Sequence, residues 1–104
     1  MRATRRLLAA SPDIDGVFAA SDLTAIGAMR AIDESGRRVP DDVAVVGFDD
    51  IREASLTMPP LTTIRQPIGD LGRTMAHVLL RRLEGKEPPR ATVLPVEVVR
   101  RCSA

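Results

Sequence analysis

The sequence has no tryptophan, no tyrosine and only two aromatic residues, Phe18 and Phe48, so it offers almost none of the flat surface on which nucleic-acid bases stack. Charge of one sign is also missing. With 15 Lys+Arg against 14 Asp+Glu the formal charge is +1, without the basic excess of a dedicated nucleic-acid binder, and direct DNA or RNA contact by these residues is not expected. A single cysteine, Cys102, excludes a disulfide framework and a thiolate metal site, and reads as an inert terminal thiol in a reducing compartment. No apolar run approaches the ~20 residues of a membrane-spanning helix. The basic start, Arg2 to Arg6, precedes an apolar stretch well short of the ~7 to 15 residues of an export signal. It reads instead as a helix, which gives a soluble chain, a cytoplasmic location and no membrane partner.

What is present is an alternation of helical and strand patterns with clear punctuation. Residues 2–10 pattern as a short helix with Leu7 and Leu8 on one face, stopped by Ser11-Pro12. Gly16 to Ala20 is a short apolar run of strand type, and Ser21 stands where a helix N-cap belongs. Ala25, Met29 and Ile32 give the next segment, 22–35, a helical apolar face that ends at Gly36. Val43 to Phe48 lacks polar alternation and reads as a strand buried on both faces, as in a parallel sheet flanked by helices. Residues 16–48 therefore form a βαβ unit, and the fold class is α/β with a Rossmann-like three-layer parallel sheet. A short β-prone segment at 61–65 precedes the strongest helix, 67–85, in which Ile68, Leu71, Met75, Leu79 and Leu83 recur at spacings of three or four between Pro67 and Gly85. Residues 92–100 form a last strand candidate, with Pro95 pointing to an edge or a bulge.

In parallel α/β sheets, ligands bind beyond the carboxyl ends of the strands. Two polar pairs fall there, Ser21-Asp22 after the first strand and Asp49-Asp50 after the second. Four polar side chains thus converge on one rim, where carboxylates can accept from the vicinal hydroxyls of a sugar and a serine can donate or accept. The competing reading is purely local, with Ser21 and Asp22 capping a helix and Asp49-Asp50 closing a strand in a solvated turn. A magnesium-dependent phosphotransfer site at Asp49-Asp50 is a further alternative, weakened by the lack of a glycine-rich phosphate loop. No serine lies in a G-x-S-x-G turn, and the only histidine, His77, falls on the polar stripe of the long helix. No catalytic residue, metal ligand or cofactor is therefore expected, and the chain is not expected to be an enzyme.

Four stretches in order carry a resemblance: Asp15-Gly16-Val17-Phe18-Ala19-Ala20-Ser21-Asp22 with Ala25 to Arg30, VPDDVAVVGFDD from Val39 to Asp50, PPLTTIRQP from Pro59 to Pro67, and LPVEVVRR from Leu94 to Arg101. Together they resemble the C-terminal part of the effector-binding core of the lactose-repressor (LacI/GalR) regulators, whose two lobes around a cleft are similar to those of periplasmic sugar-binding proteins. The resemblance implies that residues 1–65 and 92–101 belong to the C-terminal lobe and that the 67–85 helix belongs to the N-terminal lobe. It implies effector contacts from Ser21, which stands where the family usually has Asn, from Asp49 and from Gln66. It also implies a dimer face at Ile26, Arg30, Leu56 and Met58, although Leu56 and Met58 could equally tuck onto their own domain.

The expectation is therefore the sensing portion of a LacI-like transcription regulator for a sugar or nucleoside effector, without the helix-turn-helix and so without operator contact of its own. A transport-type sugar-binding protein is the alternative within the same fold. Lacking half of the pocket and the partner of the long helix's apolar face, the chain by itself is expected to form a homodimer or helix-swapped oligomer and to bind effector weakly or not at all.

Overall fold

Nine residues, Arg2–Ala10, form α1, with Leu8 packed towards the core and Arg5 reaching Glu34 at 2.5 Å. In the computed structural model, which describes residues 1–104, the chain then enters β1 (Gly16–Phe18) and α2 (Asp22–Glu34). Ser21 is the N-cap of α2: its backbone is extended and its Oγ accepts from the Thr24 N–H at 3.3 Å. The far end closes on Gly36, whose φ of 78° is readily adopted only by a residue without Cβ. β2 (Ala44–Val46) returns parallel to β1, pairing Gly16 with Ala44, Val17 with Val45 and Phe18 with Val46. This is the βαβ unit expected from the sequence.

After β2 the chain makes a 3-10 turn over Arg52–Ser55 and comes back as β3 (Thr63–Arg65), linked to the β2 end by parallel bridges Val46 to Thr62 and Asp49 to Arg65. β4 (Glu97–Val99) pairs antiparallel with β3, so the last strand departs from the all-parallel expectation. Pro95 lies outside the ladder, and residues 92–96 form no strand, since a proline supplies no N–H for pairing. The expected strand of 92–100 is therefore three residues long.

The chain divides into two units, Met1–Arg65 with Glu97–Ala104, and Gln66–Val96. The first contains the core. Ile32, Val43, Val45, Ala54 and Leu61 are fully buried, joined by Ala25 and Met29 from the inner face of α2. The tail stitches this core from behind: Val45 N–H donates to Ser103 O at 2.7 Å, Ser103 Oγ donates to Val45 O at 2.6 Å, and Thr62 N–H donates to Ser103 Oγ at 2.8 Å. Burial is one-sided, which corrects the reading of a strand covered on both faces. Val45 faces the core, whereas Ala44 and Val46 are half-buried and Phe18, beside Val46, is 64% exposed.

The second unit contains α3 (Ile68–Leu83), which begins after Pro67 and ends before Gly85, with φ of 74°. None of its residues is buried, and Ile68, Met75, Leu79, Leu80 and Leu83 are all exposed. This unit runs through Val96, and the chain re-enters the first unit at Glu97. No helix is long and apolar enough to cross a membrane.

The contrast within α2 gives a direct check. Ile32→Ala removes a fully buried side chain and is expected to cost about 3 kcal/mol in urea unfolding. Leu23→Ala on the exposed face is expected to stay within about 0.5 kcal/mol of the parent chain.

Candidate functional site

Register brings the two polar pairs together. Phe18 and Val46 are partners across β1 and β2, so Ser21 and Asp49 each lie three residues beyond the same rung at the carboxyl ends of neighbouring strands. The ends are fastened by Asp22 N–H, which donates to Phe48 O at 2.7 Å, and by Asp49 N–H, which donates to Ile64 O at 2.8 Å. Asp49 and Asp50 both have positive φ, 119° and 56°, an uncommon pair of conformations for non-glycine residues and one concentrated at functional turns.

The four side chains do not all face the rim. Ser21 is half-buried; its Oγ caps α2 and lies 2.9 Å from Thr24 Oγ1. The capping role is thus present. Asp22 departs from the expectation, because it is fully buried. Its Oδ2 accepts from Ile51 N–H at 2.9 Å and its Oδ1 accepts from Thr63 Oγ1–H at 2.5 Å.

Asp50 is also committed inward. Arg65 Nε donates to its Oδ2 at 2.7 Å and Arg101 donates to its Oδ1 at 2.6 Å, while Arg101 also donates to Leu61 O at 2.8 Å. Burial alone would raise the Asp50 carboxyl, but the hydrogen bonds and charges of Arg101 and Arg65 outweigh it and hold the group below its ordinary range. In turn the hydrogen bond to Asp50 holds the Arg65 guanidinium above its ordinary value. With Asp50 occupied by two guanidinium groups, Asp49 and Asp50 are not a free carboxylate pair, and the magnesium reading loses its geometric basis. Asp49 is half-buried.

Gln66 follows β3 directly and is the first residue of the second unit; the Ile68 N–H donates to its carbonyl at 2.9 Å. Three of the four candidate dimer residues line one open groove of the first unit. Ile26 and Arg30 come from α2 and Met58 from the loop after the 3-10 turn, and with Met29 and Val39 they line an open groove of about 410 Å³. Leu56 is 70% and Met58 92% exposed, so neither tucks onto its own domain. Ile26 is half-buried against the core, and Arg30 pairs with Glu34 at 3.2 Å. His77 is exposed on α3 and Cys102 is exposed near the end of the chain.

The parallel βαβ unit makes this an α/β domain, and the family described as "Periplasmic binding protein-like domain" matches residues 1–104. The chain belongs to this family, in its lactose-repressor branch of transcriptional regulators. It is 51% identical over 90 residues to the HTH-type transcriptional regulator CelR of Thermobifida fusca, a match that covers 85% of this chain and 26% of that protein. Among solved structures it is similar to a CelR–cellobiose complex, with TM-score 0.90, 46% identity, and coverage of 99% of this chain and 32% of that one. It is also similar to a lac repressor dimer bound to operator and the anti-inducer ONPF, with TM-score 0.85, 40% identity, and coverage of 98% and 36%. The chain thus spans about a quarter to a third of the length of these relatives.

The Asp50 ion pairs carry a pH signature. Because the folded-state carboxyl ionises below its ordinary range, its contribution to stability is fully present above about pH 4 and is lost as pH falls through the folded value. Asp50→Asn is expected to be about 1 to 3 kcal/mol less stable than the parent chain at pH 7. That gap should narrow in urea unfolding as pH falls below about 4; parallel pH curves for the two proteins would refute the assignment.

Proposed function

We propose that this chain is the effector-sensing part of a LacI-like transcription regulator, and that Ser21 and Asp49 contact a small polar effector of the sugar or nucleoside class. The observation that carries this reading is the placement of Asp49 in a positive-φ turn at the end of β2, in step with Ser21 at the end of β1. Carboxyl ends of adjacent parallel strands are where α/β sheets present side chains to ligands. A carboxylate at that point can accept two hydrogen bonds from vicinal hydroxyls, and the serine oxygen can donate or accept a third. The solved relative that holds cellobiose favours a sugar over a nucleoside. Gln66 belongs to the other unit, and its part in effector binding rests on the family resemblance alone.

Binding of this kind regulates by differential affinity. An effector that prefers one arrangement of the sensor shifts the population of the whole regulator, and DNA contact resides in residues other than these. Such a regulator works in the cytoplasm beside its operator, and its sensing step needs no catalytic group or cofactor. The groove lined by Ile26, Arg30 and Met58, with the exposed Leu56 two residues before Met58, is the proposed dimer face. Exposed apolar side chains beside a cationic one are the composition that interface cores favour.

Two measurements test this. When residues 1–104 replace the matching segment of CelR, the graft is expected to bind cellobiose in calorimetry, and Asp49→Ala to weaken binding by at least about a hundredfold, as loss of a charged hydrogen-bonding partner does. Unchanged affinity in Asp49→Ala removes Asp49 from the site. In the same graft, Met58→Asp is expected to shift a dimer to a monomer in sedimentation; a persistent dimer rules the face out.

A further inference from the structure

Asp22 has no role in the rim itself, yet it is a fully buried carboxylate, a placement that is costly unless each oxygen has a partner. Its partners do not lie in its own helix. Ser21, not Asp22, caps α2, and the Asp22 oxygens turn away to Ile51 N–H and Thr63 O–H while its own N–H holds Phe48 O. These contacts grip the chain at residue 48 on one side of the Asp49-Asp50 turn and at residue 51 on the other. The fit is close enough to dictate a third residue, since a Cβ placed on Gly47 would collide with Asp22 Oδ1.

A pair of positive-φ aspartates persists only when its surroundings over-determine it. Asp22 supplies that determination from both flanks and also fastens the turn to the first residue of β3, Thr63. We propose that Asp22 is a positioning residue for effector recognition: it fixes the backbone of the Asp49-Asp50 turn and so sets where the Asp49 carboxylate stands. The consequence for binding rests on the effector reading of Asp49 given above, whereas the hold on the turn does not.

Hydrogen exchange followed by NMR on the 104-residue chain reads the hold directly. In Asp22→Ala both acceptor oxygens are removed, so neither the Ile51 N–H nor the Thr63 hydroxyl keeps its partner. The Ile51 amide is then expected to exchange at least about tenfold faster relative to the amides of Ile32 and Val45. Thr63→Val, which removes a donor and keeps the carboxylate, shifts the same amide in the same direction, and Thr63→Ser, which keeps a hydroxyl, restores it. Uniform acceleration of all three amides in both variants marks a merely structural role and overturns the proposal, as does an unchanged Ile51 amide. In the CelR graft, Asp22→Ala and Thr63→Val are each expected to weaken cellobiose binding at least about fivefold. A graft that binds cellobiose equally well with either substitution also overturns the proposal. A parent graft that does not bind cellobiose overturns the effector reading instead, and the exchange data then decide the role of Asp22.

Discussion

A carboxylate removed from water has to find its hydrogen bonds inside the protein, and the first unit is arranged around that requirement at Asp22. Two donors come from segments 29 and 41 residues away, Ile51 and Thr63, so the end of β1, the turn after β2 and the start of β3 are held at one point. The absence of a side chain at Gly47 follows from the same constraint. Three short strands of three residues each could not fix these loops by ladder hydrogen bonds alone. A polar network is directional where apolar packing is not, and this one specifies the turn geometry that the core of Ile32, Val45 and Leu61 leaves open.

The tail adds a second set of long-range ties. Arg101 and Ser103 reach back to Asp50, Leu61, Thr62 and Val45, joining the last residues to the middle of the sheet. Arg101 suits this work because its guanidinium can donate to the Leu61 carbonyl and the Asp50 carboxylate at once. Arg65 takes the other Asp50 oxygen, and it is also the last residue of the first unit before Gln66. One carboxylate therefore binds both places where the chain approaches the rim from later in the sequence.

Much of this architecture is legible in the sequence alone. Ser21 and Gly36 mark the limits of the βαβ unit's helix because each has a local reason to interrupt a helix or strand, and the α3 limits follow from Pro67 and Gly85 in the same way. The extent of the strands was less legible, since an apolar run such as Val43 to Phe48 does not say which of its faces the rest of the chain will cover. The burial of Asp22 was hidden for a deeper reason: adjacent to Ser21 it looks like one more rim residue, and its partners at 51 and 63 become neighbours only through tertiary register. Asp50 was hidden likewise, because the residue that claims it, Arg101, is 51 positions away. The signal that could have found Asp22 is Gly47, whose lack of a side chain has no turn to explain it and so points to something pressed against the backbone.

The same connections bear on how a sensor of this kind transmits a signal. In the proposed reading an effector acts on Asp49, whose amide is bonded to the Ile64 carbonyl and whose neighbour Asp50 is paired with Arg65. Those are the final two residues of β3, and the next residue opens the second unit. On that reading, a displacement at Asp49 would be delivered, through one hydrogen bond and one ion pair, to the peptide by which the chain leaves the first unit. Asp22 would bound that displacement, because it grips the same turn on its other side through Ile51 and the same strand through Thr63. A turn held at both flanks has few ways to move, and an element with few accessible arrangements can convert a small ligand-dependent preference into a discrete shift of population.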